Sequence, residues 1–174
     1  MMKKHILLLV SLIVLTVTSS LAQSAMQPAT KLPPTLQREG VVNATADELW
    51  ALISVLDKVD EYNSEFVQSV EKEGDGYEAY RLVKMVDGNE RGEEVTVFAK
   101  SAKRICFRSE DSQYPVEYFI VNYYIEESGK SKCKLRLESY FKVNKGAAKT
   151  KTYKAIAKEL STTLKGIQTY FSKK

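Results

Sequence analysis

An α+β fold is predicted, in which a curved antiparallel sheet of about seven strands wraps around one long C-terminal helix and two short helices follow the first strand. Three observations predict it. Tyr153, Ile156, Ala157, Leu160, Leu164, Ile167 and Phe171 recur three and four residues apart, with Lys149, Lys151, Lys154, Lys158 and Lys165 between them, so 147–171 reads as one amphipathic helix. From Val67 to Val143 the apolar period is two, broken by turn residues, as in consecutive antiparallel strands. Between the first strand and that run stand two short helical segments. At ~1.5 Å per residue the last helix spans roughly 35–40 Å, and an apolar stripe of that length needs a sheet to lie against. A sheet closed by a helix is a container, so a bound ligand is expected.

The chain opens with Lys3 and Lys4 before an apolar run, Ile6 to Val17, and then Ser20-Leu21-Ala22, small residues at the −3 and −1 positions of a cleavage site. Residues 1–22 are read as a secretory signal peptide, the run being short of the ~20 apolar residues of a membrane span. The protein is therefore expected to be exported, to the periplasm or the exterior. Residues 23–35, polar and proline-bearing, read as a flexible leader, and 36–174 as the folded domain. Leu36 to Asn43 is a strand. Thr45, with Glu48 three residues on, starts the first short helix as a capping box, and Leu49, Trp50, Leu52, Ile53 and Leu56 follow at helical spacing. A second short helix within 57–66 turns Val59 and Tyr62 inward.

The strands are then expected at Val67–Glu73, Tyr77–Val86, Glu93–Ala99, Arg104–Ser109, Val116–Glu126 and Lys132–Val143. Gly74-Asp75-Gly76, Asp87-Gly88-Asn89 and Ser128-Gly129-Lys130 supply turns. Cys133, Leu135, Leu137, Ser139, Phe141 and Val143 share one face of the last strand, and Lys134, Arg136, Glu138 and Lys142 the other, so the sheet is expected to be covered on one side only. Cys106 and Cys133 fall in the two strands flanking the 116–126 strand. Such strands lie ~9–10 Å apart, which predicts two free thiols and no disulfide.

Charge and composition narrow the chemistry. Cleavage after Ala22 would remove His5, the one histidine, and with it serine–histidine, cysteine–histidine and histidine–zinc chemistry. No metal site and no cofactor are expected: the adjacent carboxylates Glu93-Glu94, Glu110-Asp111 and Glu126-Glu127 point to opposite faces of their strands. Residues 142–174 hold nine lysines against Glu159 alone, whereas 23–141 hold 15 basic and 21 acidic side chains. That distribution is a solvated helix face over an acidic sheet, or a surface for weak contact with anionic membranes. Nucleic acid is not an expected partner, and a monomer is expected.

The chain from about Leu36 to Phe171 resembles the START-like, or SRPBCC, superfamily, in particular its bacterial polyketide cyclase/dehydrase-like branch. The resemblance is carried by Val42-Asn43-Ala44-Thr45-Ala46-Asp47-Glu48-Leu49-Trp50 as a strand running into a helix, by Tyr62, and by Gly74-x-Gly76 followed by Arg81. Glu94, Arg104, Pro115 and Phe141 match later landmarks. It implies the helix-grip fold, with a cavity between sheet and C-terminal helix, and a family whose members bind sterols, phospholipids, polyketides, hormones or quinones, a minority being enzymes. It does not imply a substrate.

Alternation turns Phe119, Val121, Tyr123 and Ile125 inward, with Val83, Val97, Leu137, Phe141, Leu160 and Leu164 as further cavity walls. Each of these could equally be ordinary core. Trp50 suits helix-to-sheet packing better than a ligand platform, and Tyr62 is a second aromatic candidate. Arg81 and Glu94 are the polar candidates, on neighbouring strands across the Asp87–Asn89 turn. Arg81 shares the parity of Ala79, Val83 and Met85 and could bind an anionic oxygen, with Glu94 orienting it or acting as a base. Parity counts against Glu94, because Val95, Val97 and Ala99 look inward. No catalytic residue is assigned. The expected function is an exported carrier of a hydrophobic small molecule or lipid. The alternatives are a cyclase or dehydratase acting on an enolisable, polyketide-like ligand, and a module docking on anionic membranes. The short helices at 45–66 and the loops near Gly88 and Ser112 are the expected lids.

Overall fold

A computed structural model describes residues 32–109 and 111–173, so the expected signal peptide and most of the leader lie outside the described residues. The first strand, β1 (Leu36–Val42), is followed by α1 (Ala46–Ile53) and α2 (Val59–Asn63). Six strands come next: β2 (Val67–Glu73), β3 (Tyr80–Met85), β4 (Glu90–Ala99), β5 (Arg104–Ser109), β6 (Val116–Glu127) and β7 (Cys133–Val143). The chain ends in α3 (Lys149–Ser172). The seven strands form one antiparallel sheet in the order β1-β7-β6-β5-β4-β3-β2. The two short helices carry the chain from one edge of the sheet to the other, and the meander then returns to β1. This is the predicted fold.

Local sequence explains the element ends. Thr45 Oγ1 accepts from the Glu48 backbone N–H at 3.2 Å, and the Thr45 N–H donates to Glu48 Oε2 at 2.8 Å, closing the capping box. β3 starts at Tyr80, three residues later than expected, because Gly76 and Glu78 both adopt positive φ and keep 77–79 in the turn. β4 starts earlier than expected, at Glu90. The Met85 N–H donates to the Asn89 carbonyl at 2.8 Å, a tight turn that draws Glu90, Arg91 and Gly92 into the ladder.

One core lies between sheet and helices, with Leu49, Ile53, Ile105, Phe107, Phe119, Leu135, Leu137, Ile156 and Ile167 almost wholly buried. The α3 helix is pinned to β1 by Arg38 Nε donating to Ser161 Oγ and Gln168 Nε2 donating to the Val41 carbonyl, each at 2.9 Å. At Gly166 the Tyr62 carbonyl lies where a Cβ would stand, so α2 and α3 touch backbone to backbone. Only glycine permits that approach. Cys106 and Cys133 are both free and buried.

The outer face departs from the expectation of a plain solvated surface. Asn122 and Glu138, both on that face, are buried. Arg104 donates to Asn122 Oδ1 at 3.0 Å, Tyr140 donates to Glu138 Oε2 at 2.9 Å, and the guanidinium groups of Arg104 and Arg136 flank the Tyr124 ring at 5.1 and 4.7 Å. Long polar side chains thus cover one another, with no second layer of structure among the described residues.

Candidate functional site

The inner face of β3 and β4 carries charge where a hydrophobic container would carry carbon. Alternation from Arg81 turns Val83 and Met85 inward with it, and alternation from Val95 brings Glu93 and Arg91 to the same side; all six are buried. The β3–β4 register sets Arg81 opposite Glu93. Arg81 Nε donates to Glu93 Oε2 at 2.7 Å, its Nη1 donates to the Leu56 carbonyl at 3.3 Å, and its guanidinium lies 3.7 Å from the centre of the Phe107 ring. Glu93 Oε1 accepts from Arg91 Nε at 2.7 Å. Arg91 then crosses to the helix, its Nη2 and Nη1 meeting the two carboxylate oxygens of Glu159 at 2.8 and 3.2 Å. Tyr114, in the β5–β6 loop, donates its hydroxyl to Glu159 Oε2 at 2.6 Å. Two guanidiniums, two carboxylates and a phenol form one continuous relay from sheet to helix. Its four charged members are at most 6% exposed, so the charges balance in a place water does not reach.

The electrostatics follow from that burial. Desolvation pushes the Glu93 carboxyl up, but Arg81 and Arg91 outweigh it and hold the group below the ordinary carboxylate range. Desolvation pulls Arg91 down, and Glu159 with Glu93 more than reverses it. The Tyr114 phenol is pushed far up, first by burial and then by the Glu159 carboxylate beside it. Tyr123 and Tyr62 are pushed up by burial, Arg81 partly opposing the shift in each. All three phenols therefore keep their proton at physiological pH.

A cavity of about 380 Å³ opens at the Tyr114 end, lined by Glu65, Phe66, Met85, Val86, Asp87, Gln113, Tyr114, Ala155 and Lys158. Its rim is made from the end of the α2–β2 connection, the β3–β4 turn and the β5–β6 loop, the segments expected to act as lids, together with one side of α3. Phe66, Met85, Val86 and Ala155 supply its apolar lining and Glu65, Asp87, Gln113 and Lys158 its polar lining, and Tyr114, which also lines it, joins it to the relay through Glu159.

The predicted site residues divide. Arg81 sits in the relay, and Tyr62 and Tyr123 are coupled to it electrostatically. Phe119 lies under the relay, its ring 5.3 Å from the Arg91 guanidinium and edge-on to Tyr114 at 5.6 Å. Phe141 packs between Phe119, tilted to it at 6.5 Å, and Tyr153, edge-on at 4.9 Å. Val83, Val121, Leu137, Leu160 and Leu164 are buried core, and Trp50 packs on Phe98 at 5.1 Å.

Glu94 is a correction. It lies on the outer face of β4, half-buried beside Glu78, Tyr80 and Arg108, and the partner of Arg81 is Glu93. Val97 is another. A register shift between Val95 and Val97 inserts a bulge that turns Phe98, not Val97, toward Trp50. Sequence reasoning missed Arg91, Glu93, Tyr114 and Glu159. For Arg91 and Glu93 the signal was present, since both share Val95's parity. Glu159 falls three residues after Ile156 and one before Leu160, on the edge of the apolar stripe. No sequence signal marks Tyr114.

The fold and this site define a helix-grip protein with a side-opening cavity over a buried ionic relay. No protein-family model matches the sequence, and a search of curated proteins finds no match. Solved structures do match. A protein of Bacillus thuringiensis aligns with a TM-score of 0.70 at 16% identity, over 78% of this chain and 97% of that one. Norcoclaurine synthase of Thalictrum flavum, solved with a transition-state analogue, aligns with a TM-score of 0.64 at 18% identity, over 79% and 93%. The di-domain ARO/CYC protein BexL of the BE-7585A biosynthetic pathway aligns with a TM-score of 0.66 at 17% identity, over 78% of this chain and 45% of that one. The chain thus shares the helix-grip fold of these structures, the fold that its sequence resemblance implied.

Proposed function

We propose that this protein binds a hydrophobic small molecule, a lipid tail included, whose polar end is a neutral hydroxyl. The observation that carries the reading is a cavity lined by Phe66, Met85, Val86 and Ala155 together with Tyr114, whose hydroxyl is bonded to Glu159. About 380 Å³ falls in the ordinary range for a ligand pocket. A ligand hydroxyl entering there can take over the hydrogen bond that Tyr114 makes, with Tyr114 swinging out as the gate. The relay favours a neutral head. It is already balanced, so a carboxylate seated against Glu159 would add an uncompensated negative charge in a buried place. Solved complexes of the same fold support a small aromatic ligand, norcoclaurine synthase having been solved with dopamine and hydroxybenzaldehyde.

The turnover alternative rests on the same pair: a phenol and a carboxylate at 2.6 Å can exchange a proton with an enolisable ligand. Tyr114→Phe separates the two readings. A carrier keeps binding the probe, with the hydroxyl contact now made by the ligand alone, whereas an enzyme loses turnover. The test uses 2-naphthol and 2-naphthoate at neutral pH, followed by the NMR shifts of Phe66, Met85, Tyr114 and Ala155. Binding of the naphthol in preference to the naphthoate supports the reading. Equal or inverted preference, or shifts confined to other residues, overturns it.

Export is part of the proposal. It is supported by the Lys3-Lys4 start, the apolar run from Ile6 to Val17 and the small residues before Gln23. Mass measurement of the protein recovered outside the cytoplasm tests it, a chain starting at Gln23 being the expected result.

A further inference from the structure

The solvent side of α3 carries charge of one sign. Lys151, Lys154, Lys158 and Lys165 are exposed and fall within roughly 100° of the helix circumference, a stripe about 20 Å long, and exposed Lys173 extends it. Lys158 has Glu65 at 3.6 Å, with both side chains about two-thirds exposed. Lys151, Lys154 and Lys165 have no acidic partner among the described residues. The one acid of the helix, Glu159, faces the core and is occupied by Arg91. Nothing on the helix offsets the lysines.

The same face borders the cavity, whose lining sets Phe66, Met85 and Val86 beside the acids Glu65 and Asp87. Lys158 and Ala155 line the cavity with Phe66 and Val86, and Val86 is 59% exposed. An exposed valine beside a row of lysines suits a partner that offers both negative charge and hydrocarbon within a few ångströms. A nucleic acid offers phosphate without the hydrocarbon, and a lipid surface offers both. We propose that α3 docks this protein on an anionic lipid bilayer, with Val86 and the cavity mouth turned toward the lipid. Docking stands independently of which ligand the cavity holds. Among the described residues no helix is long and apolar enough to cross a membrane.

The test is co-sedimentation of the folded protein with vesicles, either of phosphatidylcholine alone or of phosphatidylcholine mixed with phosphatidylglycerol. The expected result is binding to the mixed vesicles only. Raising salt from about 0.01 M to about 1 M shortens the screening length from roughly 30 to 3 Å and should release the protein. Lys151→Glu, Lys154→Glu and Lys165→Glu together should weaken binding by at least roughly 100-fold, each removed charge counting about fivefold. Val86→Asp, which leaves the lysines intact, should weaken it by about tenfold. An unchanged thermal midpoint confirms that the variants fold. Equal binding to both vesicle types, retention at high salt, or a triple variant within twofold of the native protein overturns the proposal. Tighter binding to duplex DNA than to the mixed vesicles does so too.

Discussion

Replacing Glu159 by leucine should be among the most damaging single changes in this protein. Arg91 lies at the centre of the relay, bonded to Glu93 at 2.7 Å and to Glu159 at 2.8 and 3.2 Å. Removing the Glu159 carboxylate leaves two guanidiniums to share one carboxylate, a net positive charge among groups at most 6% exposed. Breaking a buried pair by deleting one partner costs about 3–5 kcal/mol. Glu93 still holds Arg91, which places the expected cost near ~3 kcal/mol, a large share of the 5–15 kcal/mol typical of a whole domain. For a domain of this size the thermal midpoint should fall by roughly 10–15 °C. Adding Arg91→Met removes the stranded charge and leaves Arg81 and Glu93 as a balanced pair. The double variant should recover to within about 1 kcal/mol of the native protein, giving a coupling energy above ~2 kcal/mol. Urea unfolding at neutral pH, read as midpoint with an unchanged slope, measures all four corners of the cycle. A single-variant cost under ~1 kcal/mol, or simple additivity, would mean that water reaches the relay, and the reasoning fails.

Three further outcomes follow from particular residues. Gly166→Ala should lower the thermal midpoint, because the Tyr62 carbonyl occupies the Cβ position and forcing α2 away costs about 1–3 kcal/mol, more than the ~1 kcal/mol that alanine's helix propensity returns; a higher midpoint refutes the close approach. Glu93 should titrate below the ordinary 4.5 when its carboxyl is followed by NMR. Since its folded value is depressed, its contribution to stability is present above the unfolded carboxylate range and disappears as pH falls through the folded value; a midpoint at or above 4.5 contradicts the pairing. Cys133 is fully buried and its thiol is pushed up to about 11 by desolvation, so at pH near 8 only about one molecule in a thousand carries the thiolate. Ellman's reagent should release colour from Cys106 and Cys133 only in urea, and rapid reaction of the native protein would contradict their burial.

What could be read from the sequence was local. The capping box at Thr45, the stripe on α3 and the bounds of β5 depend on spacing within one element, and each is found where the spacing puts it. What could not be read depended on a second element or on a break in the count. A hairpin centred on Asp87 pairs Arg81 with Glu93 by symmetry, but the next partners, Glu159 for Arg91 and Tyr114 for Glu159, lie on other elements that no count along β3 and β4 reaches. The bulge between Val95 and Val97 has no residue that announces it; it reversed the sides of Val97 and Phe98 and left Ala99 half-buried. Tyr114 lies in a loop, where no periodicity exists to say which way a side chain turns. Its role follows only from the position of α3 above it.

The two halves of the chain have opposite charge, and the relay reverses that opposition inside. The acidic sheet sends Arg81 and Arg91 inward, and the basic helix sends in its one acid, Glu159. Surface attraction between lysines and sheet carboxylates could not fix how α3 lies, because exposed pairs contribute at most ~1 kcal/mol and slide easily. The bidentate Arg91–Glu159 contact has a single satisfactory geometry, and any other rotation of the helix buries an unpaired charge. The inverted arrangement therefore sets the rotation of the helix about its axis. Once that rotation is fixed, the cavity mouth and the lysine stripe are held side by side. The same contact spends the helix's only negative charge indoors, so no acid of the helix itself is left to offset its outer lysines.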